Sequence, residues 1–273
     1  MSTSPTEQLL SQLHGISWTL LIPLLARAYA KTYLPQHTFH DDLALDVAQT
    51  LKLSPADISS DTFPIRLCIA RSILIDRRLR LLLQEHPKRD VFVLACGLDT
   101  LPFRHKETSF ICADLPHVIE QRRQCLPSSP QHTLCALSIP EELHQIRPYI
   151  HPQQPPIVLI EGLLPYFPEE KVMQTLRTLC ELFPKGTDLL IDTYHPALLT
   201  FANMSATFRR RQTLFQYGLH QPADITKKLP SLQHLESFDI IELLPWYMKK
   251  RCVFPAWFAR GRPLATLSHF YIV

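Results

Sequence analysis

The sequence predicts an α/β fold: a doubly wound, mostly parallel, seven-stranded Rossmann-like sheet with an N-terminal helical cap. Three observations lead there. The runs Val91–Ala95 and Ile157–Ile160 are wholly apolar, as strands covered on both faces must be. Both runs end on a glycine junction, Cys96-Gly97 and Glu161-Gly162. Segments of helical periodicity separate the strands, which is the pattern of parallel βαβ units.

Taken in order, residues 1–86 read as the helical cap, with segments at Leu20–Tyr29, Asp41–Leu51 and Pro64–Leu83 divided by prolines and polar turns. Residues 87–273 read as the α/β domain. Strand one, Val91–Ala95, turns at Gly97, and a short helix leads to strand two at Ser109–Ala113. A helix at Val118–Cys125, strand three at Thr133–Leu137 and a helix at Glu141–Tyr149 follow. Strand four is Ile157–Ile160. Pro168 then opens a helix whose first turn carries Glu169 and Glu170, where acids complement the helix dipole, and whose buried stripe is Val172, Leu176, Leu179 and Phe183. Pro184-Lys185-Gly186 ends it before strand five at Leu189–Ile191. Residues 196–220 read as an insertion, and two late strands are expected at Phe238–Leu244 and Thr266–Val273.

Composition narrows the function classes. The 273 residues carry a net charge of +3, too little to imply nucleic acid as the partner. The basic runs Arg209-Arg210-Arg211 and Lys249-Lys250-Arg251 are short and read as solvated faces. Seven cysteines, an odd number without a C-x-x-C pair, speak against a disulfide framework and a zinc site, and point to reduced core residues of a cytoplasmic protein. The apolar run Trp18–Ala26 is too short to span a bilayer, so no membrane partner is expected. A small-molecule substrate is.

Ligands of such sheets gather at the carboxyl ends of the strands, which here bring together Gly97, Asp114, Leu137, Glu161 and Asp192. Asp114 stands 17 residues beyond Gly97, where a carboxylate accepts the two hydroxyls of a ribose. A dinucleotide fingerprint needs three glycines, but this loop has Ala95, Gly97 and Thr100 at those positions, with Asp99 inside it. Asp99 would repel a pyrophosphate. S-adenosylmethionine has no phosphate and bears a sulfonium cation, so it suits the loop better than NAD.

The motifs GIS at Gly15, FHDDLA at Phe39, IAR and ID between Ile69 and Asp76, ACGLDT at Ala95, ADLPHVIEQRR at Ala113 and EGLLPYFPEE at Glu161 occur in one order along most of the chain. In this the sequence resembles the leucine carboxyl methyltransferase family, which includes protein phosphatase methyltransferases and polyketide carboxyl O-methyltransferases. The resemblance implies an S-adenosylmethionine cofactor, with Arg71 on its carboxylate, the Gly97 loop on its methionine, Asp114 on its ribose and Glu161 at its amino-acid end. Ala95, Leu115 and Leu137 complete the implied cofactor contacts. Where the family usually has glycine, this chain has Ala95, so a slightly stiffer loop is expected. Where the family tends to have aspartate after strand three, this chain reads Cys135-Ala136-Leu137-Ser138, which leaves adenine to backbone groups near Leu137, to Ser138 or to stacking. Without the resemblance, Arg71 and Glu161 read equally as members of ordinary ion pairs.

Three functions follow from these residues. Methyl transfer to a small-molecule carboxylate, as in secondary metabolism, needs no general base, because a carboxylate is already ionised. Tyr166 and Tyr194 are the candidate catalytic side chains, with His195, Asn203 and Arg209 as further candidates for the acceptor pocket. The second reading keeps the cradle but lets the cofactor's own amine attack its γ-carbon, giving azetidine-2-carboxylate and methylthioadenosine. A non-catalytic partner-binding domain is the third, and it predicts loss of the cofactor acids, whereas Arg71, Asp114 and Glu161 are all present.

Overall fold

The computed structural model describes residues 20–58, 61–204 and 214–273. The Gly15 motif, Trp18 and the run Arg209-Arg210-Arg211 lie outside the described residues. Seven strands form one sheet ordered β3-β2-β1-β4-β5-β7-β6. They are β1 Val91–Leu94, β2 Phe110–Asp114, β3 His132–Ala136, β4 Ile157–Ile160, β5 Asp188–Tyr194, β6 Leu232–Asp239 and β7 Ala265–Ile272. Strands β1 to β5 are parallel, and β7 runs antiparallel between β5 and β6.

The apolar strands are explained by two cores. Val91, Val93, Ile157 and Leu159 face helices α1 (Leu21–Ala28), α2 (Asp42–Thr50) and α3 (Phe63–Glu85) in one continuous cluster. Phe92, Leu94, Val158 and Ile160 point the other way, onto Val172, Leu176 and Leu179 of the helix Glu169–Leu182. With both faces covered, no position in β1 or β4 can be polar without losing about 1.5–3 kcal/mol of burial. Phe92 sets its ring edge-on to Phe183, the centroids 5.0 Å apart.

The order of strands reverses between β1 and β4, which lie side by side with Leu94 opposite Ile160. That switch point opens a crevice beyond the strand ends, and both glycine junctions flank it. A buried polar knot holds the α-helices to the loop there. Asp41 caps α2 by accepting the Ala44 N–H at 3.0 Å, and its second oxygen accepts from the Thr100 hydroxyl and from Arg104. Arg104 also donates from Nε to Asp76 at 3.0 Å on α3. The motif acids Asp41 and Asp76 therefore act on the loop through Arg104 rather than lining the crevice.

Two expected elements differ from what folds. The segment expected as a helix at Glu141–Tyr149 is a tighter 3-10 helix over Leu143–Tyr149, with Pro148 inside it and no N–H there to donate. The strand expected at Phe238–Leu244 is β6, earlier at Leu232–Asp239, while Ile241–Leu243 is a 3-10 turn. On this edge strand Gln233, His234, Glu236 and Ser237 break up the apolar alternation, so periodicity favours the following IIELL run instead. Among the described residues, no helix is long and apolar enough to cross a membrane.

Candidate active site

A cavity of about 580 Å³ occupies the crevice, within the ~300–1,000 Å³ usual for small-molecule sites. Its walls bring together Arg71, Ala95, Gly97, Asp114, Leu115, Leu137, Glu161, Tyr166 and Tyr194. These come from α3, from the ends of β1, β2, β3, β4 and β5, and from the turn after β4.

The loop after β1 is shaped by two left-handed residues, Ala95 at φ 56° and Gly97 at φ 48°. Gly97 needs its missing side chain as well, since a Cβ there would come within 3.0 Å of Leu20 Cδ2. Its N–H donates to Asp114 Oδ2 at 2.7 Å, and the Leu115 N–H donates to Oδ1 at 2.7 Å. Burial pushes the Asp114 carboxyl up, and these two N–H groups only partly offset it. Each oxygen keeps a lone pair for another donor. Ala95 adopts the left-handed conformation that glycine takes freely, so the backbone path is kept at a cost in strain. Ala95→Gly is therefore expected to raise stability by about 0.5–1 kcal/mol, read as a higher thermal midpoint; an unchanged or lower midpoint counts against strain at this residue.

At the other end of the crevice, Arg71 is held by acids. Its Nε and Nη2 reach Glu161 Oε1 at 2.8 and 2.6 Å, and its Nη1 donates to Asp192 Oδ2 and to Tyr194 Oη, both at 2.7 Å. The Tyr194 hydroxyl donates in turn to Asp192 Oδ2 at 2.8 Å, and Gly162 N–H donates to Asp192 Oδ1 at 2.8 Å. Arg71 and Glu161 are thus each other's partners in this structure, and one Nη2 hydrogen of Arg71 stays uncommitted. Burial pushes the Glu161 carboxyl up, partly countered by Arg71. Burial also pushes the Tyr194 phenol well above its ordinary value despite Arg71, so it is protonated at neutral pH.

Several lining residues escaped the sequence reading. Arg27, at the end of the apolar helix α1, is 2% exposed, faces Asp99 at 3.5 Å and leaves its Nε without a partner. Its only sequence signal is a charged residue inside the apolar run LIPLLARA, which by itself names no partner. Burial raises the Asp99 carboxyl, but Arg27 and Arg104 more than offset this and hold it below the ordinary value. Leu67, Leu198, Leu199, Phe201, Phe215 and Phe254 add apolar surface to the cavity lining, which also includes the cations Lys171 and Arg251. Tyr166 stacks on Phe215 at a 5.0 Å centroid distance.

Other candidates stand elsewhere. His195 is outside the lining; its Nε2 meets His220 Nδ1 at 3.1 Å, and burial lowers its pKa. Asn203 does not line the cavity but exchanges two 2.9 Å hydrogen bonds with the backbone of Phe215. Arg209 lies outside the described residues. Beyond β3, the Leu137 N–H is donated to Asp114 O and the Ser138 N–H to Glu142 Oε2, both at 2.8 Å. The Ser138 hydroxyl goes to Glu141 Oε2 at 3.0 Å. Lys249-Lys250-Arg251 is not a bare solvated face: Arg251 lines the cavity, pairs with Asp61 at 2.6 Å and lies 5.1 Å over the Phe63 ring.

Known proteins are similar to this chain. The profile of the leucine carboxyl methyltransferase family matches residues 21–180, more than half of the chain. The tetracenomycin polyketide synthesis O-methyltransferase TcmP of Streptomyces glaucescens is 27% identical over 234 residues, covering 85% of each chain. The S-adenosyl-L-methionine-dependent methyltransferase dpfgK of Gibberella zeae is 26% identical over 263 residues, covering 88% of each. A candidate methyltransferase from Thermobifida fusca, solved by crystallography, shares the fold at a TM-score of 0.57 and 15% identity, covering 99% of both chains. With the strand order, the switch-point crevice and this family match in agreement, the chain belongs to the leucine carboxyl methyltransferase family and is an S-adenosylmethionine-dependent methyltransferase.

Proposed function

We propose that the enzyme methylates the carboxylate of a small, largely apolar acceptor in secondary metabolism. One observation carries the reading: the cavity that Asp114 and Arg71 line is also lined by Leu67, Leu198, Leu199, Phe201, Phe215 and Phe254 and by the cations Lys171 and Arg251, and no histidine lines it among the described residues. A carboxylate acceptor needs no proton removed, because it ionises near pH 4 in its free form. TcmP and dpfgK, both methyltransferases by name and TcmP an O-methyltransferase of polyketide synthesis, support the same direction.

The residues fit the cofactor chemically. S-adenosylmethionine supplies an electrophilic methyl group on a sulfonium cation. Asp114, already fixed by two N–H donors, has lone pairs for a ribose diol. Asp99 and Glu161 put negative charge on the cavity wall. Arg71, through its remaining Nη2 hydrogen, and Arg27, through its unpartnered Nε, take the cofactor carboxylate. With the N–H groups of Leu137 and Ser138 already donated, adenine is held by apolar packing of Leu115, Leu137 and Ile139. Tyr166 stands beside the transferred group, and Tyr194 positions Arg71. The described helices between residues 21 and 85 serve as the cap over the acceptor, whose alignment with the methyl group is the catalytic device.

The test is incubation with S-adenosylmethionine alone and with added aromatic carboxylates, followed by product identification. S-adenosylhomocysteine that forms only with a carboxylate is the expected result. Methylthioadenosine formed from the cofactor alone overturns it in favour of cyclisation, and calorimetry without cofactor binding overturns both.

A further inference from the structure

Two short helices, α4 (Trp246–Lys249) and α5 (Val253–Phe258), joined by the 3-10 turn Lys250–Cys252, carry a dense exposed apolar cluster. Trp246 is 68% exposed, Trp257 73% and Phe254 57%, and Tyr247, Val253 and Phe258 are exposed with them. A contiguous patch of this kind marks an interaction surface, whereas scattered apolar residues do not. Its charge is one-sided. From Leu244 to Pro263 the chain carries Lys249, Lys250, Arg251, Arg260 and Arg262 and no acid, although the whole protein is only +3. Lys250 Nζ sits 4.3 Å over the Trp246 ring, and acids from outside the segment, Glu242 and Asp61, meet Lys249 and Arg251.

We propose that this face docks on an anionic lipid bilayer. Exposed tryptophan, tyrosine and phenylalanine beside lysine and arginine match the layered chemistry of a bilayer boundary: aromatic rings lie at the headgroup level while cations stay with the lipid charge. Five basic residues against the two acids that meet them, Glu242 and Asp61, leave a net positive face that complements a negatively charged leaflet. Contact is peripheral, since neither helix is long enough to span. The face is continuous with the active site, because Arg251, Phe254 and Pro255 also line the cavity. Docking there sets the cavity mouth against the phase into which an apolar acceptor partitions. The inference concerns where the protein sits and holds whichever reaction the cradle performs.

The test is co-sedimentation of the full chain with vesicles of phosphatidylcholine alone and of phosphatidylcholine mixed with phosphatidylserine. Binding to the mixed vesicles is expected, weaker by about tenfold or more on phosphatidylcholine alone and on raising salt. The double variant Trp257→Ala/Phe258→Ala, outside the cavity lining, is expected to lose that binding about tenfold while keeping the wild-type thermal midpoint and cofactor affinity. Absence of binding to mixed vesicles, equal binding to both vesicle types, or a double variant that binds like wild type overturns the proposal. A wild-type dimer that the double variant makes monomeric, without vesicle binding, overturns it in favour of a second copy of the chain.

Discussion

Arg71→Ala is expected to lower the unfolding free energy by about 3–5 kcal/mol, the cost of leaving buried charges without their partner. Glu161 and Asp192 both lean on this guanidinium, and Asp192 is fully buried. Alanine would strand two carboxylates in low dielectric, and the Tyr194 hydroxyl would lose its donor. Urea unfolding of both proteins measures the difference. A loss below about 1 kcal/mol, the range of an exposed pair, shows that solvent reaches the cluster and removes the argument. Arg71→Lys is expected to recover only part of the loss, since a single ammonium cannot make the planar fork to Glu161 while also serving Asp192. The same substitution separates the two uses of the residue: Arg71→Lys that is stable yet binds S-adenosylmethionine weakly supports a direct contact with the cofactor carboxylate.

For Asp114→Ala, the expected effect is on binding: cofactor affinity falls by about 1.5–3 kcal/mol, the range for hydrogen bonds to a charged group. Calorimetry measures it, and unchanged affinity removes Asp114 from the site. The pH dependence has a defined sign. Burial raises the carboxyl's pKa in the free protein above its ordinary 3.8. Ribose hydroxyls donate to the ionised form and so pull the pKa down on binding. Affinity should therefore be constant at neutral pH and fall as pH drops through the raised free-state value, a fall that Asp114→Ala abolishes. In the free protein the sign is opposite: the buried charge disfavours folding, so this group's contribution to stability declines as pH rises past its ordinary value.

Much of this is legible in the sequence. The sheet showed in Val91–Leu94 and Ile157–Ile160 because strands buried on two faces tolerate no polar residue. Gly97 and Asp114 showed because a tight turn and a diol acceptor each need one residue type at one distance. The edge strand β6 did not show, since half-exposed positions such as Gln233 and Glu236 carry little periodic signal. Arg27 did not either: its sequence neighbours mark only an apolar helix, and its value comes from Asp99, 72 residues away.

Local chemistry in the sequence was thus enough for the fold class, the switch-point crevice and the sulfonium cofactor, because glycine, strand burial and a carboxylate at a strand end act over a few residues. The tertiary structure alone decided how the charges are shared. Arg71 meets Glu161, Asp192 and Tyr194 across 90 to 123 residues of chain, and no spacing rule reaches that far. It also decided that Trp246, Phe254 and Trp257 stay exposed and that Arg251 and Phe254 reach the cavity. Which neighbours share a buried charge, and which side chains stay in water, depends on how distant elements pack, and packing is set by the whole chain at once.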